Sequence, residues 1–184
     1  MLKLNEWTYQ KQDKINDGSG IYVLCSSKGI EKLNNNDECG VLYIGQAKNI
    51  SARLYVSQGK DWVDKKWEGF HFTHCILSYV LDFKNETEIK FFQSYPEKQR
   101  IDAGMLKGAK PRLFYSYCEA PKVEEARLLI GHIMKYGQSP SLNSSSLNWA
   151  NEYKSKRDHE YYWGKKTFDI YEKFEKGLFR YLIK

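Results

Sequence analysis

Apolar positions fall into short runs divided by polar punctuation, and their period changes along the chain. Residues 1–19 are polar, with Trp7 and Tyr9 as isolated apolar anchors, and Asp17-Gly18-Ser19-Gly20 is a turn signal. The run Ile21-Tyr22-Val23-Leu24-Cys25 is rich in β-branched and aromatic types, which predicts a strand. Residues 26–40 read as a loop that includes Asn34-Asn35-Asn36-Asp37, and residues 41–45 read as a second strand. The two strands can pair antiparallel around that loop. Asn49 offers a side-chain oxygen to the N–H groups of a first helical turn, so a helix is expected over about 50–56.

The pattern is less decisive over 57–111. There the run 75–81 is β-prone, 88–92 suits a short strand, and 97–106 suits a helix stopped by Gly108 and Pro111. Residues 112–118 read as a strand. Pro121 fits the first turn of a helix, where its missing N–H is harmless, and Gly137 ends the helix expected over about 122–136. Residues 138–148 are rich in Ser and Asn and read as a loop. In the tail, Phe168, Tyr171, Phe174, Leu178, Tyr181 and Leu182 recur at helical spacing.

Length and composition narrow the picture. A chain of 184 residues suggests one domain with appendages, and 41% hydrophobic residues exclude wholesale disorder. The formal charge of +6 favours phosphate-bearing partners, since binding them releases condensed counterions. The 14 tyrosines and 5 tryptophans could stack on bases, although a core accounts for most of them. Cysteines 25, 39, 75 and 118 form no CxxC pair, which argues against a zinc site. The first ten residues lack the apolar core of a secretory signal, so the expectation is a cytoplasmic protein with reduced thiols. No apolar run approaches the roughly 20 residues that span a bilayer, and no membrane partner is expected.

The candidate chemistry lies in the order of five stations. Gly20-Ile21-Tyr22 opens a strand and Tyr43-Ile44-Gly45 ends the next. Arg53 follows eight residues after that glycine, Glu125 opens Glu-Ala-Arg-Leu-Leu on the later helix, and Pro140-Ser141-Leu142-Asn143 comes after it. Each motif alone is common; the ordered combination is specific. It resembles the GIY-YIG nuclease family over about residues 20–143, with poorly matching sequence between 57 and 111.

The resemblance implies an α+β fold, a small three-stranded antiparallel sheet flanked by helices. Here it would carry an insertion at about 57–111 within a catalytic domain of residues 1–150, and a basic, aromatic helical extension at 151–184. It also implies hydrolysis of a phosphodiester through one divalent cation, Mg²⁺ with Mn²⁺ able to replace it. By resemblance, Glu125 holds the metal and Arg53 neutralises phosphate charge. Tyr22 is the candidate general base or water-positioning group, and Tyr43 shares its network. Lys48 is a secondary candidate for phosphate contact, and Asn143 braces the site. The chemistry is consistent on its own terms. Magnesium keeps most of its waters and needs only one or two carboxylates, and an anionic phosphodiester needs a cation beside it.

Helical geometry bears on the glutamate. At about 100° per residue, Val123, Ala126, Leu129, Ile130, Ile133 and Met134 share a stripe, with Glu125 at its edge and Glu124 on the far, solvent side. This favours Glu125 without removing Glu124 as a competitor. His132 lies nearly in line with Glu125 and reads more readily as a surface histidine than as a participant.

Basic residues interleaved with aromatics extend the candidate interface: Lys60, Lys65, Lys66, Arg100, Lys107, Lys110, Lys165 and Lys166. The expectation is a stand-alone endonuclease, restriction-like or from a phage or mobile element, acting on double-stranded DNA. Cutting both strands with one site per chain favours a homodimer. Two alternatives stay open on the residues: a non-catalytic nucleic-acid-binding module that keeps the fold, and an RNase toxin.

Overall fold

The alternating runs form a four-stranded antiparallel sheet in the computed structural model, which describes residues 2–8, 11, 14–26, 29–54, 112–143 and 163–183. The strands are β1 (Asn5–Trp7), β2 (Gly20–Cys25), β3 (Val41–Ala47) and β4 (Arg112–Tyr117), in the order β1-β4-β2-β3. The helices are α1 (Ile50–Leu54), α2 (Pro121–Tyr136) and α3 (Lys165–Leu182). The elements expected at 75–81, 88–92 and 97–106 lie outside the described residues, as does most of the 138–148 loop.

The α+β class therefore holds, with four strands where three were expected. The additional strand is β1, which pairs antiparallel with β4 through Asn5↔Tyr115, Glu6↔Phe114 and Trp7↔Leu113. Three residues are too few to show alternation. What ties this strand down is distant in sequence: Glu6 takes a two-pronged ion pair from Arg112, Nε to Oε1 at 2.7 Å and Nη2 to Oε2 at 2.9 Å, while Trp7 is buried. Arg112 also donates to the Tyr181 carbonyl at 2.8 Å and lies over the Phe114 ring, so it belongs to the frame.

Period-two alternation splits β2 between two faces. Ile21, Val23 and Cys25 join Ile44 and Phe114 in the main core, where Leu128, Leu129 and Tyr136 of α2 and Tyr171, Phe174 and Leu178 of α3 cover them. Burying each such aliphatic or aromatic side chain is worth about 1.5–3 kcal/mol, so this face holds the sheet to the helices. Tyr22 points to the opposite face. Its cross-strand partners Gly45 and Tyr115 share that face, as do Tyr117 opposite Gly20 and Tyr43 opposite Leu24.

Local signals set the helix ends. The Asn49 Oδ1 accepts from the Ala52 N–H at 3.1 Å, capping α1 as expected. Gly137 takes the left-handed conformation at φ 75° after α2 and donates its N–H to the Ile133 carbonyl at 2.8 Å.

Candidate active site

The first two motifs and the helix of Arg53 meet at the end of the sheet where β2 begins and β3 finishes. There the Ile50 N–H donates to the Gly18 carbonyl at 2.8 Å, seating α1 on the turn that precedes β2. The two motif glycines explain themselves sterically. A Cβ on Gly20 would come within 2.2 Å of the Ser116 carbonyl oxygen and 3.0 Å of Ile50 Cγ1. A Cβ on Gly45 would come within 2.6 Å of both Cζ and the hydroxyl of Tyr22, and of Tyr43 Cε1. Glycine at 45 thus leaves the space that the Tyr22 phenol fills. The Tyr22 and Tyr43 rings lie near parallel, 5.9 Å apart at an interplanar angle of 29°.

Exposure ranks the two phenols. Tyr22 is 1% exposed and Tyr43 is half-buried, so Tyr43 is the one that reaches solvent. The resemblance gave Tyr22 the more direct part; the packing makes it the inner member of the pair.

The charge of Arg53 on α1 acts on Glu125 of α2. Glu125 is partly buried, and burial pushes its carboxyl from the ordinary 4.5 up to about 7, against the pull of the Arg53 guanidinium and then of Lys122. The competing Glu124 is committed elsewhere. Its Oε1 accepts from Arg127 Nη1 at 2.8 Å, and it faces a groove beside α3, so it is not on a solvated far side. Between the two carboxylates, the one in the Arg53 field is Glu125.

Asn143 braces β3 directly. Its Oδ1 accepts from the Ile44 N–H at 2.9 Å and its Nδ2 donates to the Ile44 carbonyl at 2.8 Å. One residue earlier, the Leu142 N–H donates to the Leu42 carbonyl at 2.8 Å. Residues 142–143 thereby pair with the open edge of the strand that carries Tyr43 and Gly45. Lys48 is exposed just past β3. Lys165 and Lys166 are exposed in the first turn of α3, where Lys165 lies 3.6 Å from Asp169. Lys60, Lys65, Lys66, Arg100, Lys107 and Lys110 lie outside the described residues.

The residues present suit a hydrated divalent cation. Among the described residues no cluster of three or more His, Cys, Asp and Glu side chains is placed to hold a metal. A lone carboxylate that burial leaves reluctant to ionise is nevertheless a fitting donor for Mg²⁺, which keeps most of its water.

Sequence reasoning missed a second polar cluster, at the other end of the sheet. His132 is fully buried, not a surface residue. Its Nδ1 donates to the Gln138 carbonyl at 2.8 Å, and its Nε2 faces Asp37 Oδ2 at 3.4 Å. Asp37 is itself fully buried and accepts from the Val41 N–H at 2.8 Å. Beside them Glu175 of α3 takes hydrogen bonds from Lys135 and from the Tyr136 hydroxyl. This cluster ties the β2–β3 loop, α2 and α3 together. The one available sequence signal was Gly131 within the helix, next to His132. A Cβ there would come within 2.3 Å of Tyr171 Cβ, so α2 is packed on two sides.

Comparison with protein-family models, with curated proteins and with solved structures found no match. The functional reading therefore rests on the motifs and on this geometry. Among the described residues no helix is long and apolar enough to cross a membrane.

Proposed function

We propose that this chain is a GIY-YIG-type endonuclease that hydrolyses phosphodiester bonds in DNA with the help of one divalent cation. The observation that supports the reading is the stacking of Tyr22 on Tyr43 over Gly45, at the sheet end that seats the helix of Arg53, whose charge acts on Glu125.

Each residue then has a part. Glu125 would hold Mg²⁺ or Mn²⁺, which supplies neutralising charge at the phosphoryl group. Arg53 grips phosphate oxygens with its planar fork and offsets the charge that builds as the bond breaks. Tyr43, at the surface, orients the attacking water, and Tyr22 beneath it fixes that phenol. Lys48 contacts the flanking phosphate. Asn143 holds the β3 edge and so the height of Tyr43 above Gly45.

The test uses purified protein with plasmid DNA and with RNA, in Mg²⁺ or in EDTA. DNA cleavage that needs the metal and is lost in Glu125→Ala and Arg53→Ala is the expected result. The exposure ranking adds that Tyr43→Phe loses at least as much rate as Tyr22→Phe. Binding without cutting in Mg²⁺ and in Mn²⁺ would refute the enzyme reading, and RNA cut in preference to DNA would refute the substrate.

A further inference from the structure

A groove of about 590 Å³ opens beside the first turns of α2. Leu2, Cys118, Ile170 and Phe174 make it apolar, and Tyr117, Arg127 and Lys173 give it a phenol and two cations. Tyr117 is 39% exposed, yet its side chain is held in place. Its hydroxyl donates to the Asn16 carbonyl at 2.9 Å, and its ring meets Tyr115 edge-on at 5.7 Å. Glu124, which lines the same groove, is neutralised by Arg127 and leaves Lys173 as the net positive charge. Tyr117 pairs across the sheet with Gly20 of the first motif, so the groove adjoins the motif end of the sheet.

A fixed, exposed aromatic ring at a partly apolar groove, with a cation among its lining residues, matches the chemistry of a nucleotide: a π-face to stack and a phosphate to pair. The volume suits one such unit. A paired base inside a duplex cannot offer its face to the groove, whereas an unpaired one can. We propose that this groove takes one unpaired nucleotide of the substrate strand, its base stacked on Tyr117 and its phosphate against Lys173. The inference rests on the nuclease reading and narrows it, to DNA with an unstacked nucleotide beside the cut.

Binding is measured with full-length protein carrying Glu125→Gln, so that cleavage does not intervene. The probes are a single-stranded DNA oligonucleotide carrying one 2-aminopurine and the same strand in duplex form. The expected result is fluorescence quenching of the single-stranded probe, with affinity falling about ten-fold and quenching lost in Tyr117→Ala. Tyr117→Phe, which keeps the ring, retains both. Lys173→Glu, a surface change that guards against a misfolded Tyr117→Ala, weakens binding and lowers the salt slope by about 0.7, the share of one phosphate. Should the protein bind and cut DNA while Tyr117→Ala and Lys173→Glu leave single-strand binding unchanged, the groove assignment is overturned and the nuclease reading survives. If neither probe binds and unsubstituted protein cuts nothing, both are overturned.

Discussion

Glu125 should make the fold less stable as pH rises, and replacing it should reverse that loss. In the unfolded chain the carboxyl releases its proton near 4.5, whereas in the folded chain burial delays release until about pH 7. Between those values the native state holds more protons than the unfolded one. Stability therefore falls as pH climbs through that window and stays lower above it. At about 1.4 kcal/mol per tenfold change in proton affinity, the displacement corresponds to about 3 kcal/mol, and to about 2 kcal/mol once solvent at the partly open side chain is allowed for. Glu125→Gln removes the titration. Urea unfolding at pH 4 and at pH 8.5 should show the variant gaining on the unsubstituted protein by about 2 kcal/mol between the two conditions. On the proposed role of Glu125 as metal ligand, Mg²⁺ should recover part of the difference at pH 8.5 in the unsubstituted protein and none in the variant. Parallel stability curves for the two proteins across the whole pH range would refute the buried-carboxylate reasoning.

Further substitutions probe the frame. Gly45→Ala places a methyl within 2.6 Å of Tyr22 and Tyr43 and should cost about 1–3 kcal/mol by urea unfolding, with loss of cleavage. Gly177→Ala, on α3 with nothing within 4 Å of the new methyl, should instead raise stability by up to about 1 kcal/mol. Asn143→Leu leaves the Ile44 N–H and carbonyl without their side-chain partner and should cost about 1–3 kcal/mol, measured the same way. His132→Ala leaves the Gln138 carbonyl and Asp37 without the imidazole in a fully buried setting and should cost about 1–3 kcal/mol; thermal unfolding indistinguishable from the unsubstituted protein would show that the contact is dispensable.

The parts of the fold that were legible are those whose causes are local. Alternation and β-branched content located β2, β3 and β4, and Asn49 and Gly137 located helix ends, because each signal acts within a few residues of itself. The strand β1 was hidden because its cause, the Glu6–Arg112 ion pair, spans the chain. The reading of His132 failed for a related reason. A helical stripe assumes one packed side, and α2 has two, since Tyr171 of α3 lies against Gly131. Within the site, residue types and order were readable. What was not readable is the cross-strand register that puts Gly45 opposite Tyr22, and with it the ranking of Tyr43 as the outer phenol.

The contrast between the two ends of the molecule carries the functional argument one step further. At the loop end, each buried carboxylate has partners: Asp37 Oδ2 meets the Val41 N–H and faces His132, although Asp37 Oδ1 has none, and Glu175 takes Lys135 and the Tyr136 hydroxyl. Such pairing holds a frame together. At the motif end, Glu125 is buried enough that Arg53 and Lys122 do not offset the desolvation. A carboxylate kept in a setting that costs stability, within the field of a guanidinium, is the arrangement expected where a cation and a phosphate supply the missing charge balance. A purely structural role would be better served by glutamine at 125, which is why the comparison of that variant in stability and in cleavage separates a scaffold from an enzyme.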